Sequence, residues 1–206
     1  MREKELDEAV LVLRTGGVVA FPTETYYGLA VDPFNQAALS LLFALKKRPA
    51  RKPILTLIRD AAQLSLLTQS IPAVYEPLMK KFWPGPLTLI FKARPGLPAQ
   101  LTGGTGTVGV RVSSQPLAMG LVDAFAGPIT ATSANISGQP PCVDEEEVQR
   151  QFGNGVDLIL AGATPPGGKG STIVSQQDGT LQLVRDGVIP FALIGKSLQG
   201  GGTGTP

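Results

Sequence analysis

The segment from Lys46 to Lys52 concentrates positive charge that could hold an anion. Five of its seven residues are Lys or Arg, whereas the whole 206-residue chain has 18 Lys and Arg against 16 Asp and Glu. Such a cluster attracts polyanions, either a free nucleotide or a nucleic acid. It follows a helical pattern over Gln36–Leu45 that Pro49 is expected to stop. A helix C-terminus also favours cations, but two or three would suffice for it. The remaining charges favour an anion-binding site.

Two further segments place polar groups where a ligand could contact them. Arg111 is the only charge in the apolar run from Val108 to Val112, and Ser133 and Asn135 follow a predicted strand. An isolated strand arginine commonly lies at an edge or faces solvent. Serine and asparagine are also ordinary turn residues. Taken singly, these residues leave both a structural and a ligand-binding role open.

The composition restricts the chemistry. The sequence contains no histidine and one cysteine, Cys142. These 206 residues therefore lack the parts of a Ser-His-Asp or Cys-His triad, of an imidazole metal site and of an internal disulfide. Catalysis would have to depend on positioning and electrostatics from carboxylates, hydroxyl groups, lysine and arginine. No metal-binding residues are predicted.

Two glycine-rich motifs resemble nucleotide-binding patterns and fail on their context. Gly104 to Gly109 matches the dinucleotide motif letter for letter, but a strand is predicted to follow it where the motif requires a helix. Pro166 to Thr172 lacks two required positions of a P-loop, because Ala163 replaces the first glycine and Gly170 follows the lysine. A glycine-rich turn that presents backbone N–H groups to a ligand remains an alternative for the second segment.

Hydrophobic periodicity predicts alternating helices and strands. Helices are expected at residues 5–13, 36–45, 61–67, 73–82, 116–125 and 144–151, and strands at 18–21, 53–58, 87–91, 107–112, 129–132, 156–160, 171–174 and 181–184. Several strands adjoin without a helix, which favours a mixed, twisted sheet over a pure Rossmann fold. The strand at 129–132 is expected at the centre of that sheet.

The composition also predicts the class of protein. A hydrophobic fraction of 43% and a net charge of +2 are typical of one globular domain. No apolar run reaches the ~20 residues of a membrane span, and the charged N-terminus lacks a secretory signal pattern. We therefore expect a cytoplasmic protein without a membrane partner. Residues 1–195 are expected to form the domain and the glycine-rich residues 196–206 a flexible tail.

Seven segments, in the same order, resemble the YrdC/TsaC family, the threonylcarbamoyl-AMP synthases, in its short single-domain form. The matching segments are Phe21 to Gly28, Lys46 to Pro49, Lys81 to Thr88, Gly109 to Val112, Ser133 to Gly138, Ser171 to Thr172 and Val184 to Gly187. The resemblance covers about Val10 to Ile194. It implies an α/β (α+β-like) fold, in which a twisted mixed β-sheet with flanking helices surrounds a concave, positively charged cleft.

The resemblance also implies the activity. Enzymes of this family are nucleotidyltransferases that join L-threonine, bicarbonate or CO2, and ATP into threonylcarbamoyl-AMP, releasing pyrophosphate. The product serves the threonylcarbamoyladenosine modification of tRNA. Mg²⁺ would accompany ATP as the cofactor, and separate TsaB, TsaD and TsaE proteins would receive the intermediate.

The site residues follow from the family's motifs, position by position. Lys46 and Arg48 are the implied catalytic residues. The implied ATP contacts are Lys46, Arg48, Lys52, Thr107, Ser133, Asn135, Pro141 and Arg185, and the implied threonine contacts are Thr25, Arg111 and Ser171. Arg111 is chemically suited to hold the threonine carboxylate in a bidentate pair. Arg48 and Ser133 are accordingly expected to converge around one triphosphate.

Three positions depart from the family's pattern. Lys52 stands where many members have Asn, Leu57 where some have His beside the threonine, and Pro141 where longer relatives often have Ser. A related branch that resembles YciO lacks the Lys-x-Arg and Ser-Ala-Asn elements, so their presence favours the synthase. The alternative is a module of the same fold that binds tRNA or double-stranded RNA without synthase activity. Only 12 aromatic residues, mostly in apolar runs, argue against a base-stacking surface.

Overall fold

The computed structural model describes residues 2–165 and 168–199. Its α-helices are α1 (Arg2–Arg14), α2 (Gln36–Leu45), α3 (Glu76–Phe82), α4 (Ala99–Thr102), α5 (Pro116–Phe125), α6 (Glu145–Phe152) and α7 (Phe191–Gln199). Short 3₁₀ helices cover Ala61–Leu66, Ala73–Tyr75 and Gly153–Gly155. The strands are β1 (Val19–Pro22), β2 (Tyr27–Ala30), β3 (Leu55–Leu57), β4 (Leu87–Lys92), β5 (Thr107–Arg111), β6 (Ile129–Thr130), β7 (Thr132–Ser133), β8 (Leu158–Ile159), β9 (Thr172–Gln177) and β10 (Thr180–Arg185).

The strands form two mixed sheets, so the mixed α/β class is confirmed but the single sheet is not. One sheet has the order β7-β2-β1-β8, and the other has the order β10-β9-β4-β5-β3-β6. In the second sheet β4 pairs antiparallel with β5 and parallel with β9, and β3 pairs parallel with β5. Sequence periodicity indicates that strands exist, but it does not indicate which distant strands pair.

The prediction of a central strand at 129–132 is wrong. The segment divides into β6, at the edge of the six-stranded sheet, and β7, at the edge of the four-stranded sheet. Ala131 lies between them and donates its N–H to Leu55 O at 2.8 Å, while Ala134 N–H donates to Tyr27 O at 2.7 Å. The chain therefore passes from one sheet to the other at Ala131, and this crossing brings Ser133 near β2.

Other boundaries differ for local reasons. The helix expected at 61–67 is a 3₁₀ helix capped by Asp60, whose Oδ1 accepts the N–H of Ala62 at 2.9 Å. The helix expected at 73–82 becomes α-helical only from Glu76, with Pro77 in its first turn. Strand β2 and helices α4 and α7 were not predicted. Helix α7 continues to Gln199, past the expected domain end at residue 195, and residues 200–206 of the expected tail lie outside the described residues.

Two apolar clusters hold these elements together. Helices α1 and α5 pack against each other and cover a cluster that includes Leu13, Phe21 and Leu121, all buried completely. The larger cluster includes Leu42 of α2 and Phe91 of β4. Fully burying one such side chain contributes roughly 1.5–3 kcal/mol. Within the described ranges, no helix is long and apolar enough to cross a membrane.

Candidate active site

A cavity of about 330 Å³ receives side chains from both sheets. This size suits a small-molecule ligand. Eight of the eleven predicted site residues line it: Thr25, Arg48, Thr107, Arg111, Ser133, Pro141, Ser171 and Arg185. Lys46, Lys52 and Asn135 are not part of the lining. Arg48 and Ser133 therefore share one cavity, as the sequence predicted, although 85 positions separate them.

The six-stranded sheet contributes alternating residues to the cavity. Thr107, Gly109 and Arg111 of β5 line it, as do Thr88 and Ile90 of β4. Side chains two residues apart on a strand point to the same face. The pattern therefore places the predicted nucleotide contact Thr107 and the predicted threonine contact Arg111 along one wall.

The end of α2 makes the side chains of Lys46 and Arg48 point in different directions. Lys47 adopts a left-handed conformation with φ 49°, and the N–H of Arg48 donates to Phe43 O at 2.9 Å. These features form a Schellman-type helix end with lysine at the position that glycine usually occupies. The helix thus ends before Pro49, which does not stop it. Lys46 points inward and Arg48 reaches the cavity.

Lys46 is fully buried beside the Ser133–Asn135 turn. Its Nζ donates to Ser133 O at 2.5 Å and to Asn135 O at 2.6 Å, and its own carbonyl oxygen accepts the N–H of Ser137 at 2.8 Å. Ser133 Oγ donates to Asn135 Oδ1 at 2.6 Å. The geometry gives Lys46 a role in holding this turn. Direct contacts of Lys46 and Asn135 with a nucleotide stay predictions.

The burial of Lys46 makes its effect on stability depend on pH. Burial and, second, the positive charge of Arg48 lower the pKa of Lys46 from 10.5 to about 7. Between these values the unfolded chain binds more protons than the folded chain, so the stability contribution rises with pH. We expect the free energy of unfolding of the wild type, relative to Lys46→Met, to rise by about 2 kcal/mol from about pH 7 to about pH 9. Urea denaturation of both proteins measures it, and a difference that falls with pH would contradict the assignment.

Arg48 is anchored by the backbone that follows it. Its Nη2 donates to Pro53 O at 2.7 Å and its Nε donates to Lys52 O at 3.3 Å. Burial lowers the pKa of the Arg48 guanidinium, which is half-buried at the cavity wall. Lys52 supports Arg48 through its carbonyl oxygen, while the Lys52 side chain is exposed. The predicted phosphate contact of Lys52 stays a prediction.

Arg111 forms a largely buried ion pair with Glu24, for which the sequence suggests a helix cap or a salt bridge without identifying the partner. Its Nη1 lies 3.0 Å from Glu24 Oε1, and the side chains are 4% and 11% exposed. Ser113 Oγ donates to Glu24 Oε2. Burial lowers the pKa of Arg111, and the charge of Glu24 opposes this shift. Apart from this ion pair, the buried Nε and Nη1 of Arg111 make no hydrogen bond within the described residues, and Arg111 lines the cavity.

Ser171 lies in a network that also contains Arg185 and Thr88. Arg185 Nη2 donates to Ser171 O at 2.8 Å and to Ser171 Oγ at 3.0 Å. Ser171 Oγ also lies 2.8 Å from Thr88 Oγ1. Burial and, second, the positive charge of Arg111 lower the pKa of Arg185. Thr88 was not predicted as a site residue, although it is the one hydroxyl residue in the apolar strand β4.

Two predicted contacts lie on connecting segments. Leu57, a position that departs from the family's pattern, lies outside the cavity lining. Thr25 follows β1, is buried, and its Oγ1 lies 3.0 Å from Thr23 Oγ1. Pro141 lines the cavity beyond the Ser133–Asn135 turn. Leu57 is fully buried in the cluster beneath α1 and α5. The lining therefore gains no polar group at position 57.

The donor set for a metal ion is sparse. Within residues 2–165 and 168–199, no three His, Cys, Asp or Glu side chains are grouped closely enough to hold a metal ion. The lining does contain hydroxyl groups, including those of Thr25, Thr107 and Ser133. Mg²⁺ prefers oxygen ligands and usually keeps several from water or substrate phosphates. These residues are compatible with an Mg²⁺ ion that takes most of its oxygen ligands from the substrate's phosphates and from water.

The chain is similar to threonylcarbamoyl-AMP synthases along most of its length. It is 38% identical over 186 residues to the threonylcarbamoyl-AMP synthase of Vibrio cholerae, a match that covers 89% of this chain and 98% of the relative. It is also 38% identical to the threonylcarbamoyl-AMP synthase of Pyrococcus abyssi, covering 89% of this chain but 54% of the relative. The chain thus spans about half the length of the P. abyssi protein.

Solved structures show the same fold. The crystal structure of P. abyssi Sua5 complexed with L-threonine matches with a TM-score of 0.91 and 36% identity, over 96% of this chain and 58% of that one. E. coli YciO matches with a TM-score of 0.80 and 28% identity, over 91% of each chain. A family model described as "Telomere recombination" matches residues 11–187. Because the family model covers most of the chain and a relative is 38% identical along nearly its whole length, this chain belongs to the Sua5/YciO/YrdC family.

Proposed function

We propose that this protein is a threonylcarbamoyl-AMP synthase that makes the intermediate for threonylcarbamoyladenosine in tRNA. The observation that carries the proposal is the shared cavity, because Arg48, Ser133 and Arg111 line the same space. The arginines are suited to the phosphates of ATP and to the carboxylate of L-threonine. Relatives with this name at 38% identity support it. YciO is the less similar match at 28% identity.

The cavity's charges suit its predicted substrates. Three arginines line it, and the lining contains no Asp or Glu among the described residues. We infer a positively charged cleft with Arg48, Thr107, Ser133 and Pro141 toward the nucleotide. Thr25, Arg111 and Ser171 would contact L-threonine, and Arg185 would add a nucleotide contact beside Ser171.

The reaction needs alignment and charge neutralisation more than acid–base catalysis. The threonine nitrogen attacks carbon dioxide, supplied directly or as bicarbonate, and forms a carbamate after loss of a proton. A carbamate oxygen then forms a bond to the α-phosphorus of ATP while the bond to the β-phosphate oxygen breaks, and pyrophosphate leaves. Arg48 would stabilise the charge that develops on the phosphates. Lys46 acts as a positioning residue, because it holds the Ser133 and Asn135 carbonyl groups.

We propose that Mg²⁺ enters with ATP and is bound mainly by phosphate oxygen atoms. When bound, it neutralises phosphate charge. We further propose that the protein acts in the cytoplasm and passes its labile mixed anhydride to TsaB, TsaD and TsaE proteins.

The activity is tested by measuring pyrophosphate release from MgATP. We expect release that depends on both L-threonine and bicarbonate, with threonylcarbamoyl-AMP as the accompanying product by mass spectrometry. Omitting either substrate is the internal control. Release that is independent of L-threonine or bicarbonate, or no release under any combination, would remove the synthase assignment.

Exposed cations outside the cavity favour RNA as a second ligand. Lys47, Arg51 and Lys52 are exposed beside the cavity wall. Contacts to phosphates would make RNA affinity fall steeply with salt. Titrating tRNA and double-stranded RNA at two salt concentrations, with and without ATP, tests this. Binding that ATP does not displace would place RNA on these exposed cations, whereas displacement would place it in the cavity.

A further inference from the structure

Glu24 is a largely buried carboxylate that is not itself among the predicted substrate contacts. Its side chain is 11% exposed, and its Oε1 lies 3.0 Å from Arg111 Nη1. Ser113 Oγ donates to its other oxygen and fixes its orientation. Glu24 is not part of the cavity lining, whereas Thr23, Thr25 and Arg111 are. The carboxylate therefore stands directly behind the arginine that faces the ligand.

The charges around Arg111 determine how Glu24 could affect a bound ligand. Arg111 and Arg185 both line the cavity, and the positive charge of Arg111 lowers the pKa of Arg185 after the larger effect of burial. Arg185 already donates to Ser171, whereas Arg111 has Glu24 as its ion-pair partner and lines the cavity. A ligand carboxylate that binds Arg111 from the cavity would therefore have Glu24 on the far side of the guanidinium group.

Glu24 acts with opposite sign on the two charges of an amino acid. Its negative charge repels a carboxylate that binds Arg111 and attracts an ammonium on the neighbouring carbon. For a zwitterion the two effects largely cancel. For a carboxylate that lacks the ammonium, only the repulsion remains, because no positive group on the ligand offsets it.

We propose that Glu24 is a specificity-determining residue that makes the cavity select a zwitterionic α-amino acid over a carboxylate without an α-ammonium group. The proposal rests on the proposed function, because it assumes that Arg111 holds the carboxylate of L-threonine. It adds a role in excluding hydroxy acids and other simple carboxylates. Glu24 acts through charge and through Arg111, and needs no direct contact with the ligand.

The size of the effect follows from Coulomb's law. A ligand carboxylate beyond Arg111 would lie about 6 Å from Glu24, and at an effective dielectric constant of about 20 one unit charge changes the dissociation constant about a hundredfold. L-threonine should therefore bind about a hundredfold more tightly than (R)-3-hydroxybutanoate, which is the same molecule without the amino group.

Calorimetric titration of both ligands into the full chain tests the proposal. In Glu24→Gln we expect the preference for L-threonine to fall to about tenfold or less, mainly because (R)-3-hydroxybutanoate binds more tightly. Asp157→Asn is the matched control. It also removes one carboxylate charge. Asp157 accepts the N–H of Val18 at 2.8 Å and does not line the cavity. The Asp157→Asn variant should prefer L-threonine over (R)-3-hydroxybutanoate as strongly as the wild type does.

The outcomes separate this inference from the proposed function. A preference in Glu24→Gln equal to that of the wild type would overturn the role of Glu24 while leaving the synthase intact. If Glu24→Gln does not fold, the wild type still tests the proposal, because equal binding of both ligands would overturn it. A wild type that does not bind L-threonine at all would overturn the proposed function and the inference together.

Discussion

Replacing Arg111 with methionine should lower kcat/KM for L-threonine by about a thousandfold. Removing one partner of a desolvated, hydrogen-bonded charge pair costs about 2–5 kcal/mol or more, and 4 kcal/mol corresponds to roughly that factor. Arg111 is 3% exposed and lines the cavity, so water cannot readily replace its contacts. Steady-state pyrophosphate release at varied L-threonine measures the loss. The dissociation constant of ATP alone should change far less, because the predicted nucleotide contacts are retained.

The same substitution should also destabilise the fold, and a second variant separates the two effects. Methionine would leave Glu24 as an uncompensated buried charge, which costs roughly 3–5 kcal/mol of unfolding free energy. Adding Glu24→Gln to Arg111→Met should recover most of that stability without recovering L-threonine binding. Arg94→Met, at an exposed arginine, is the control for the substitution itself. Recovery of binding in the double variant would show that Arg111 supports the fold only.

Some elements could be predicted accurately because local signals agree. Helix α5 has the predicted bounds, since Pro116 begins it and Gln115 caps it by accepting the N–H of Leu117 at 2.5 Å. Helix α2 also matches, with Asn35 as its N-cap. Both helices combine a start signal with apolar residues at helical spacing. In each case one short stretch of sequence contains all the relevant information.

The arrangement of sheets required information that the local sequence lacks. The segment 129–132 is Ile-Thr-Ala-Thr, and four residues are too few to show whether they belong to one strand or to two. Its division depends on Leu55 and Tyr27, which accept backbone hydrogen bonds from Ala131 and Ala134. These partners lie more than 70 positions away in the sequence. Long-range pairing of this kind is invisible to periodicity.

Most of the predicted site residues line the cavity, but the directions of their side chains could not be predicted from the sequence. Lysine is almost always exposed, so the basic segment gave no sign that Lys46 is buried. The inward direction follows from the helix end at Lys47, where glycine would have been the usual signal. The partner of Glu24 was also hard to predict. A single acid between two threonines suggests a cap or a salt bridge, but its partner Arg111 lies 87 positions away and could not be identified from the local sequence.

Arg48→Ala should lower kcat for pyrophosphate release by about a hundredfold at saturating ATP, because one donor to developing charge is typically worth about 3 kcal/mol. Arg51→Ala is the matched control: it removes the same group three positions away, but Arg51 is exposed and outside the cavity lining. It should retain nearly full activity. Arg48→Lys should fall between the two, since lysine keeps the charge but not the planar fork that reaches Pro53 O. Equal losses for Arg48→Ala and Arg51→Ala would mean that the segment acts through its general positive field, and Arg48 would then have no specific place at the phosphates.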